Sequence, residues 1–143
     1  MKTAIYPGSF NPWHEGHTDI LDKALKVYDR VVVAIGINPA KDGTARNPSM
    51  QFFEEKYGDK VVLLAFTGLL VDFIKGLNKL GRWPIDGVIR GLRNGADLEF
   101  ERTQQYWNED LGISVPTVYF ICDRKLSHVS SSALRQIESF KKV

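Results

Sequence analysis

Two histidines, His14 and His17, flank Glu15-Gly16 in the stretch Tyr6-Pro7-Gly8-Ser9-Phe10-Asn11-Pro12-Trp13-His14-Glu15-Gly16-His17. As hydrogen-bond donors, two imidazoles this close can hold phosphate oxygens, and Gly16 lets a ligand or a backbone segment approach. A helix that begins at such a loop aims unpaired N–H groups and its positive dipole end into it, which makes an anion site. The structural alternative is one histidine capping the helix and the other exposed. A zinc site would need His14, His17 and a third ligand such as His128, and no cysteine or carboxylate spacing supports it.

Three further clusters carry chemistry. Arg90 and Arg93 stand on either side of Gly91 in a glycine- and arginine-rich segment, where forked guanidinium donors suit phosphate; pairing with Asp97, Glu99 or Glu101 is the alternative, and the two are compatible. Ser127-His128-Val129-Ser130-Ser131-Ser132-Ala133-Leu134-Arg135 reads as a serine-rich helix start, able to cap the helix and to cradle a second anion. Lys41 lies in a proline- and glycine-containing loop, where most lysines are simply solvated. There is no G-x-S-x-G elbow, so a serine hydrolase is disfavoured, and neither a P-loop nor a G-x-G-x-x-G fingerprint is present. A polyphosphate is the ligand these groups fit best.

The elements that must position these groups alternate along the chain. Thr3–Tyr6 reads as a buried strand, and Ile20, Leu21, Ala24, Leu25 and Tyr28 as one face of a helix. Arg30–Ile37, apolar on both faces, reads as a central strand. After the loop 38–50, a short helix is expected over Gln51–Tyr57 and a strand over Lys60–Phe66. A helix with Leu69, Leu70, Phe73, Ile74, Leu77 and Leu80 on its apolar stripe should follow, ending at Gly81. A strand over Asp86–Ile89, a turn over 90–95 and a helix from Asp97 to about Leu111, with Phe100, Trp107 and Leu111 on one side, come next. A strand over Ser114–Ile121 and a helix from Ser130 to about Lys142, with Leu134, Ile137 and Phe140 facing in, complete the chain. This alternation predicts an α/β fold: one Rossmann-like domain over residues 1–143, a five-stranded parallel sheet with helices on both faces. Every polar cluster then falls at the carboxyl ends of strands, and the clusters should converge on one cleft.

Composition excludes little else. The 143 residues suit one domain, and the formal net charge of +2 gives no bulk argument for nucleic acid or an anionic membrane. The single cysteine, Cys122, excludes an internal disulfide and fits a reducing, cytoplasmic setting. No signal-peptide pattern and no apolar run of spanning length is present, so neither secretion nor membrane insertion is expected.

His14-Glu15-Gly16-His17 resembles the H-x-G-H signature of the nucleotidylyltransferase superfamily, and Val129-Ser130-Ser131-Ser132-Ala133-Leu134-Arg135 resembles its I-S-S-x-x-x-R signature. Within it, Ala4–Phe10 and Ile89–Glu101 are similar to the phosphopantetheine adenylyltransferase family, over residues 2 to about 137. The resemblance implies transfer of AMP from ATP to 4′-phosphopantetheine, giving dephospho-coenzyme A and pyrophosphate, with Mg²⁺. It implies that Ser9, Phe10, His14 and His17 meet ATP, as do Gly91, Leu92, Arg93 and Glu101. The segment Leu126, Ser127, His128, Val129, Ser130, Ser131 and Ser132 would close on the same nucleotide. Ser9, Lys41, Leu70 and Arg90 would meet phosphopantetheine. His17, Lys41 and Arg90 would be catalytic, with His17 as transition-state stabiliser and with Lys41 and His17 supplying positive charge. The family implies a homo-oligomer, usually a hexamer. His14 stands where these enzymes usually carry threonine, and histidine there is commoner in nicotinamide mononucleotide and cytidylyl transferases. A nicotinamide mononucleotide adenylyltransferase and a nucleotide-binding module without turnover are the alternative readings.

Overall fold

A computed structural model describes residues 1–37, 48–93, 95–126 and 128–141, excepting the side chains of Gly95, Ala96 and Arg124. Strand β1 (Thr3–Gly8) leads into helix α1 (Glu15–Ala24), followed by β2 (Arg30–Gly36), α2 (Met50–Tyr57) and β3 (Val61–Phe66). The chain continues through α3 (Leu70–Leu80), β4 (Gly87–Leu92), α4 (Gly95–Asp110), β5 (Thr117–Ile121) and α5 (Ser131–Lys141). All neighbouring strands pair in parallel, in the order β3-β2-β1-β4-β5. The expected α/β architecture is therefore present, with β1 at its centre.

Alternation of side chains divides the core into two layers. Tyr6, Val31, Val33, Ile35 and Ile89 pack with Ile20, Leu21 and Ala24 of α1 and with Phe53 of α2. Ile5, Val32, Ala34 and Val88 pack on the other face with Val71, Ile74 and Leu77 of α3. Helix α3 stops where Gly81 takes a φ of 73° and its N–H bonds the Leu77 carbonyl, a left-handed cap that glycine adopts without strain. Gly87 in β4 leaves room for Tyr28, since a Cβ there would lie 2.5 Å from the Tyr28 hydroxyl and that side chain would have to shift.

Several local expectations are corrected. Arg90 and Gly91 lie inside β4, not in a turn after it, so the pleat fixes which way Arg90 points. Leu69 and Leu80 flank the α3 stripe and are exposed. Helix α1 ends at Ala24, one residue before Leu25, although Tyr28 is buried beyond it. In α5, Ile137 and Phe140 are 50% and 71% exposed, so they do not face in. The apolar residues of α4 also face solvent, with Phe100 and Trp107 each 62% exposed.

Candidate active site

Sequence makes the cleft by placing loops at the carboxyl ends of β1, β4 and β5. The turn after β1 is held tightly: Phe10 adopts a φ of 47°, its ring is buried, and a Cβ at Gly8 would lie 2.9 Å from that ring. Tyr6, Phe10 and Trp13 pack around His17, with ring centroids 6.4, 4.9 and 5.1 Å from the imidazole. Those aromatics, concentrated within eight residues of sequence, form a wall of which sequence reasoning assigned only Phe10 and left Tyr6 and Trp13 without a role.

The two histidines start α1. His14 is its N-cap, and its Nδ1 accepts from the Gly16 N–H at 3.1 Å. In return the His14 N–H donates to His17 Nδ1 at 3.2 Å, so the pair forms a capping box with imidazoles in place of the usual oxygens. The rings stack, with centroids 3.7 Å apart and planes 21° apart. Because both Nδ1 atoms accept, the neutral rings carry their protons on Nε2. Burial, the His14 ring, Arg93 and Arg90 together lower the His17 pKa to about 3. Burial and Arg93 also lower that of His14. Its surroundings thus oppose positive charge on His17, and the uncharged ring offers an N–H at Nε2. The alternative of a capping and an exposed histidine holds for His14 alone, since His17 is walled by aromatics.

Helix α5 begins against the same loop. Ser130 caps it by accepting from the Ala133 N–H at 3.1 Å, and the Ser131 hydroxyl donates to the Pro12 carbonyl at 2.8 Å. Arg135 donates to the Asn11 carbonyl and to the Ser132 hydroxyl. The N-termini of α1 and α5 thus open on one space.

That space is a cavity of about 360 Å³ lined by the β1 loop, the start of α1, the end of β4 and the start of α5. It brings together Ser9, Phe10, His14, His17, Arg90, Gly91, Leu92, Arg93, Val129, Ser130–Ser132 and Arg135, and adds Cys122. Among the described residues its lining holds three arginines and no carboxylate, the charge pattern of a polyanion site. A Cβ on Gly91 would lie 2.8 Å from Ile20 Cγ1, so glycine there lets α1 sit close to β4. Burial raises the pKa of the Cys122 thiol, with Asp19 adding to the effect.

A second cavity, of about 400 Å³, opens on the other face of the sheet and shares Pro7, Gly8 and Arg90 with the first. Leu70 and Glu101 line this one and not the first. Arg90 makes a forked pair with Glu101, Nε and Nη2 each 2.8 Å from a carboxylate oxygen, and its Nη1 donates to the Pro7 carbonyl at 3.0 Å. Burial opposes the Arg90 charge, but Glu101 outweighs it and the pKa is raised. Arg93 pairs instead with Asp97, at 3.2 Å. The clusters therefore converge on two cavities with a common wall, not on one. Leu126 packs against the core and His128 is exposed, and neither lines either of these two cavities. Lys41 and Ser127 lie outside the described residues. Among the described residues no three His, Cys, Asp or Glu side chains cluster to hold a metal.

Residues 5–137 match the family model described as cytidylyltransferase-like. The phosphopantetheine adenylyltransferase of Clostridium novyi (strain NT) is 38% identical, over 98% of this chain and 85% of that one. That of Christiangramia forsetii is 36% identical, over 96% of this chain and 88% of its own. Among solved structures, a Vibrio parahaemolyticus chain assigned as a nicotinate-nucleotide adenylyltransferase superposes with a TM-score of 0.64 at 19% identity, covering 97% of this chain and 89% of that one. That likeness is one of fold.

Proposed function

The chain belongs to the cytidylyltransferase-like family and, within it, to the phosphopantetheine adenylyltransferases, and on that premise we propose that it transfers AMP from ATP to 4′-phosphopantetheine. The products are dephospho-coenzyme A and pyrophosphate. One observation carries the site reading: two cavities on opposite faces of the sheet meet at Pro7, Gly8 and Arg90, and the one on the α1 side is lined by cations without a carboxylate. The triphosphate belongs in the cation-lined cavity and the acceptor in the cavity with Leu70. Their phosphates then meet at the shared wall.

An oxygen of the acceptor phosphate attacks the α-phosphorus of ATP, the new P–O bond forms, and the bond from that phosphorus to the bridging oxygen breaks as pyrophosphate leaves. No covalent enzyme intermediate is needed, so the protein's work is alignment and charge stabilisation. His17 donates its Nε2–H to a phosphate oxygen without surrendering the proton. Arg93, Arg135 and the N-termini of α1 and α5 hold the leaving pyrophosphate. Arg90, locked by Glu101, orients the acceptor phosphate, with Ser9 contributing from the β1 loop, and Lys41 is given a share in this role by family resemblance alone. Mg²⁺ would enter on the ATP phosphates, as this ion commonly does, retaining water for most of its ligands; no protein ligand is assigned to it. The lowered charge at His17 suits a site whose other donors are already cationic.

His14 fits this reading. Its side chain accepts from the Gly16 N–H as an N-cap, a task threonine performs equally, so its presence does not select a mononucleotide acceptor. We place the enzyme in the cytoplasm as a homo-oligomer, hexameric by family resemblance; among the described residues no helix is long and apolar enough to cross a membrane. The test is pyrophosphate release from ATP and Mg²⁺ with 4′-phosphopantetheine, nicotinamide mononucleotide or nicotinate mononucleotide. Release with phosphopantetheine is expected. Release with a mononucleotide alone, or with none of the three, would refute the assignment.

A further inference from the structure

Helix α4 covers the sheet with its polar side. Glu101, Gln104, Gln105 and Asn108, spaced as one face of a helix, line the second cavity beside a single apolar residue of α4, the largely exposed Phe100, while Leu98, Tyr106 and Trp107, with Leu111 just past the helix, are exposed. A covering helix ordinarily turns its apolar face to the sheet. Inversion here puts hydrogen-bonding groups where packing would favour hydrocarbon. Their partners account for only part of that capacity. Glu101 is satisfied by Arg90, but the Gln104 and Asn108 side chains make no hydrogen bond among the described residues.

Gln105 is the oriented member of the group. Its Nε2 lies 3.2 Å from Glu109 Oε1, and a carboxylate can only accept, so the amide nitrogen must be the end facing it. The Gln105 Oε1 consequently faces Tyr119, whose hydroxyl donates to it at 2.8 Å and also lies 3.5 Å from the Glu101 carbonyl. Tyr119 is the register partner of Arg90, so both side chains rise from one face of the sheet. One amide hydrogen and one lone pair of Gln105 are left for the cavity. Phe66, Leu70 and Val88 supply an apolar wall to the same space. A third cavity of about 210 Å³ shares Gln105, Asn108 and Thr117 with the second and extends it away from Arg90.

We propose that Gln105, held by Tyr119 and Glu109, is a specificity-determining residue that reads an amide far from the phosphate on the acceptor's arm. A ligand matched to this space is a slim chain with an apolar edge, amide groups along the other edge and no negative charge at its far end, where Glu109 stands. The inference rests on the proposed acceptor, whose phosphate sits at Arg90 and whose arm runs past Gln105.

The experiment compares 4′-phosphopantetheine with 4′-phosphopantothenate, which lacks the distal amide and ends in a carboxylate. The readout is the ratio of kcat/KM for the two in the unmodified enzyme, in Gln105→Leu and in the nearly isosteric Tyr119→Phe. A site built to hydrogen-bond a group rejects an analogue lacking it. The unmodified enzyme should therefore prefer phosphopantetheine, and both variants should lower that preference about tenfold, with KM for ATP unchanged. Equal loss on both acceptors, leaving the ratio intact, would reduce Gln105 to a structural residue and overturn the inference while leaving the proposed activity standing. No turnover of either acceptor by the unmodified enzyme would remove the proposed activity, and this inference with it.

Discussion

His17 uses its two nitrogens for different purposes, and that division makes its role testable. Nδ1 completes the start of α1 by accepting the His14 N–H, and Nε2 carries the proton that the proposed function offers to phosphate. Glutamine at this third helical position is a normal partner in a capping box. His17→Gln should therefore keep the helix start and the fold, with stability changed by less than about 1 kcal/mol, while kcat falls on the order of a hundredfold or more. Near-normal turnover would remove His17 from the transition state. Burial, His14 and the arginines lower its folded pKa to about 3, below the unfolded value of 6.5. Between those values the unfolded chain binds more protons, so the contribution is fully present above pH 6.5 and is lost as pH falls toward 3. Acid unfolding should consequently be gentler in His17→Gln than in the unmodified chain, by on the order of 2–4 kcal/mol across that window. Parallel stability curves from pH 7 to 3.5 would contradict the neutral, buried imidazole.

The H-x-G-H loop and the serine-rich helix start were legible because each is a local pattern, but the means by which they are held together is not local. Lys23 Nζ lies 2.9 Å from Asp19 Oδ2 and 3.1 Å from Asp123 Oδ1, and also bonds the Ile121 carbonyl; Asp19 Oδ2 in turn accepts the Asp123 N–H at 3.0 Å. Burial opposes both charges, but the pairing outweighs it, lowering the Asp19 pKa and raising that of Lys23. This strut joins the helix that carries His17 to the exit of β5, ahead of Ser130. Its members are about a hundred residues apart in sequence, a separation at which periodicity and motif carry no information. Asp19→Asn should cost about 1–3 kcal/mol of stability and raise KM for ATP several-fold, with KM for phosphopantetheine unchanged. Equal changes in both KM values would show that the strut supports the fold in general and not the nucleotide side. Periodicity succeeded for β2 and α3, where apolar residues do face the core. It misled for α5, where Ile137 and Phe140 are apolar but exposed, because a pattern shows which residues share a face and not what that face meets.

At the scale of the whole molecule, the same outward-facing residues become informative. The parallel sheet was readable from the alternation of elements, but its order β3-β2-β1-β4-β5 was not, and that order sets the geometry of the site. The chain winds outward in opposite directions from β1 and β4, and the two cavities open at the carboxyl ends of that pair on opposite faces. The helix roofing the second cavity, α4, exposes Leu98, Tyr106 and Trp107, Leu111 is exposed just past its end, and α5 exposes Ile137 and Phe140. Single exposed apolar residues are ordinary, whereas three on one helix and a fourth directly after it offer apolar area that association would cover. In the proposed homo-oligomer, α4 would be held between the acceptor cavity on its inner side and a second copy on its outer side. Light scattering should then give the mass of an assembly, six copies by family resemblance, and Trp107→Glu should shift it toward smaller species by placing a charge in the contact. Because α4 bears Gln105, the dissociated variant should have a several-fold higher KM for phosphopantetheine and an unchanged KM for ATP, whose cavity α4 does not line. A monomeric unmodified protein would separate the outward face of α4 from assembly; a dissociated variant with both KM values unchanged would mean that α4 holds its place without a partner.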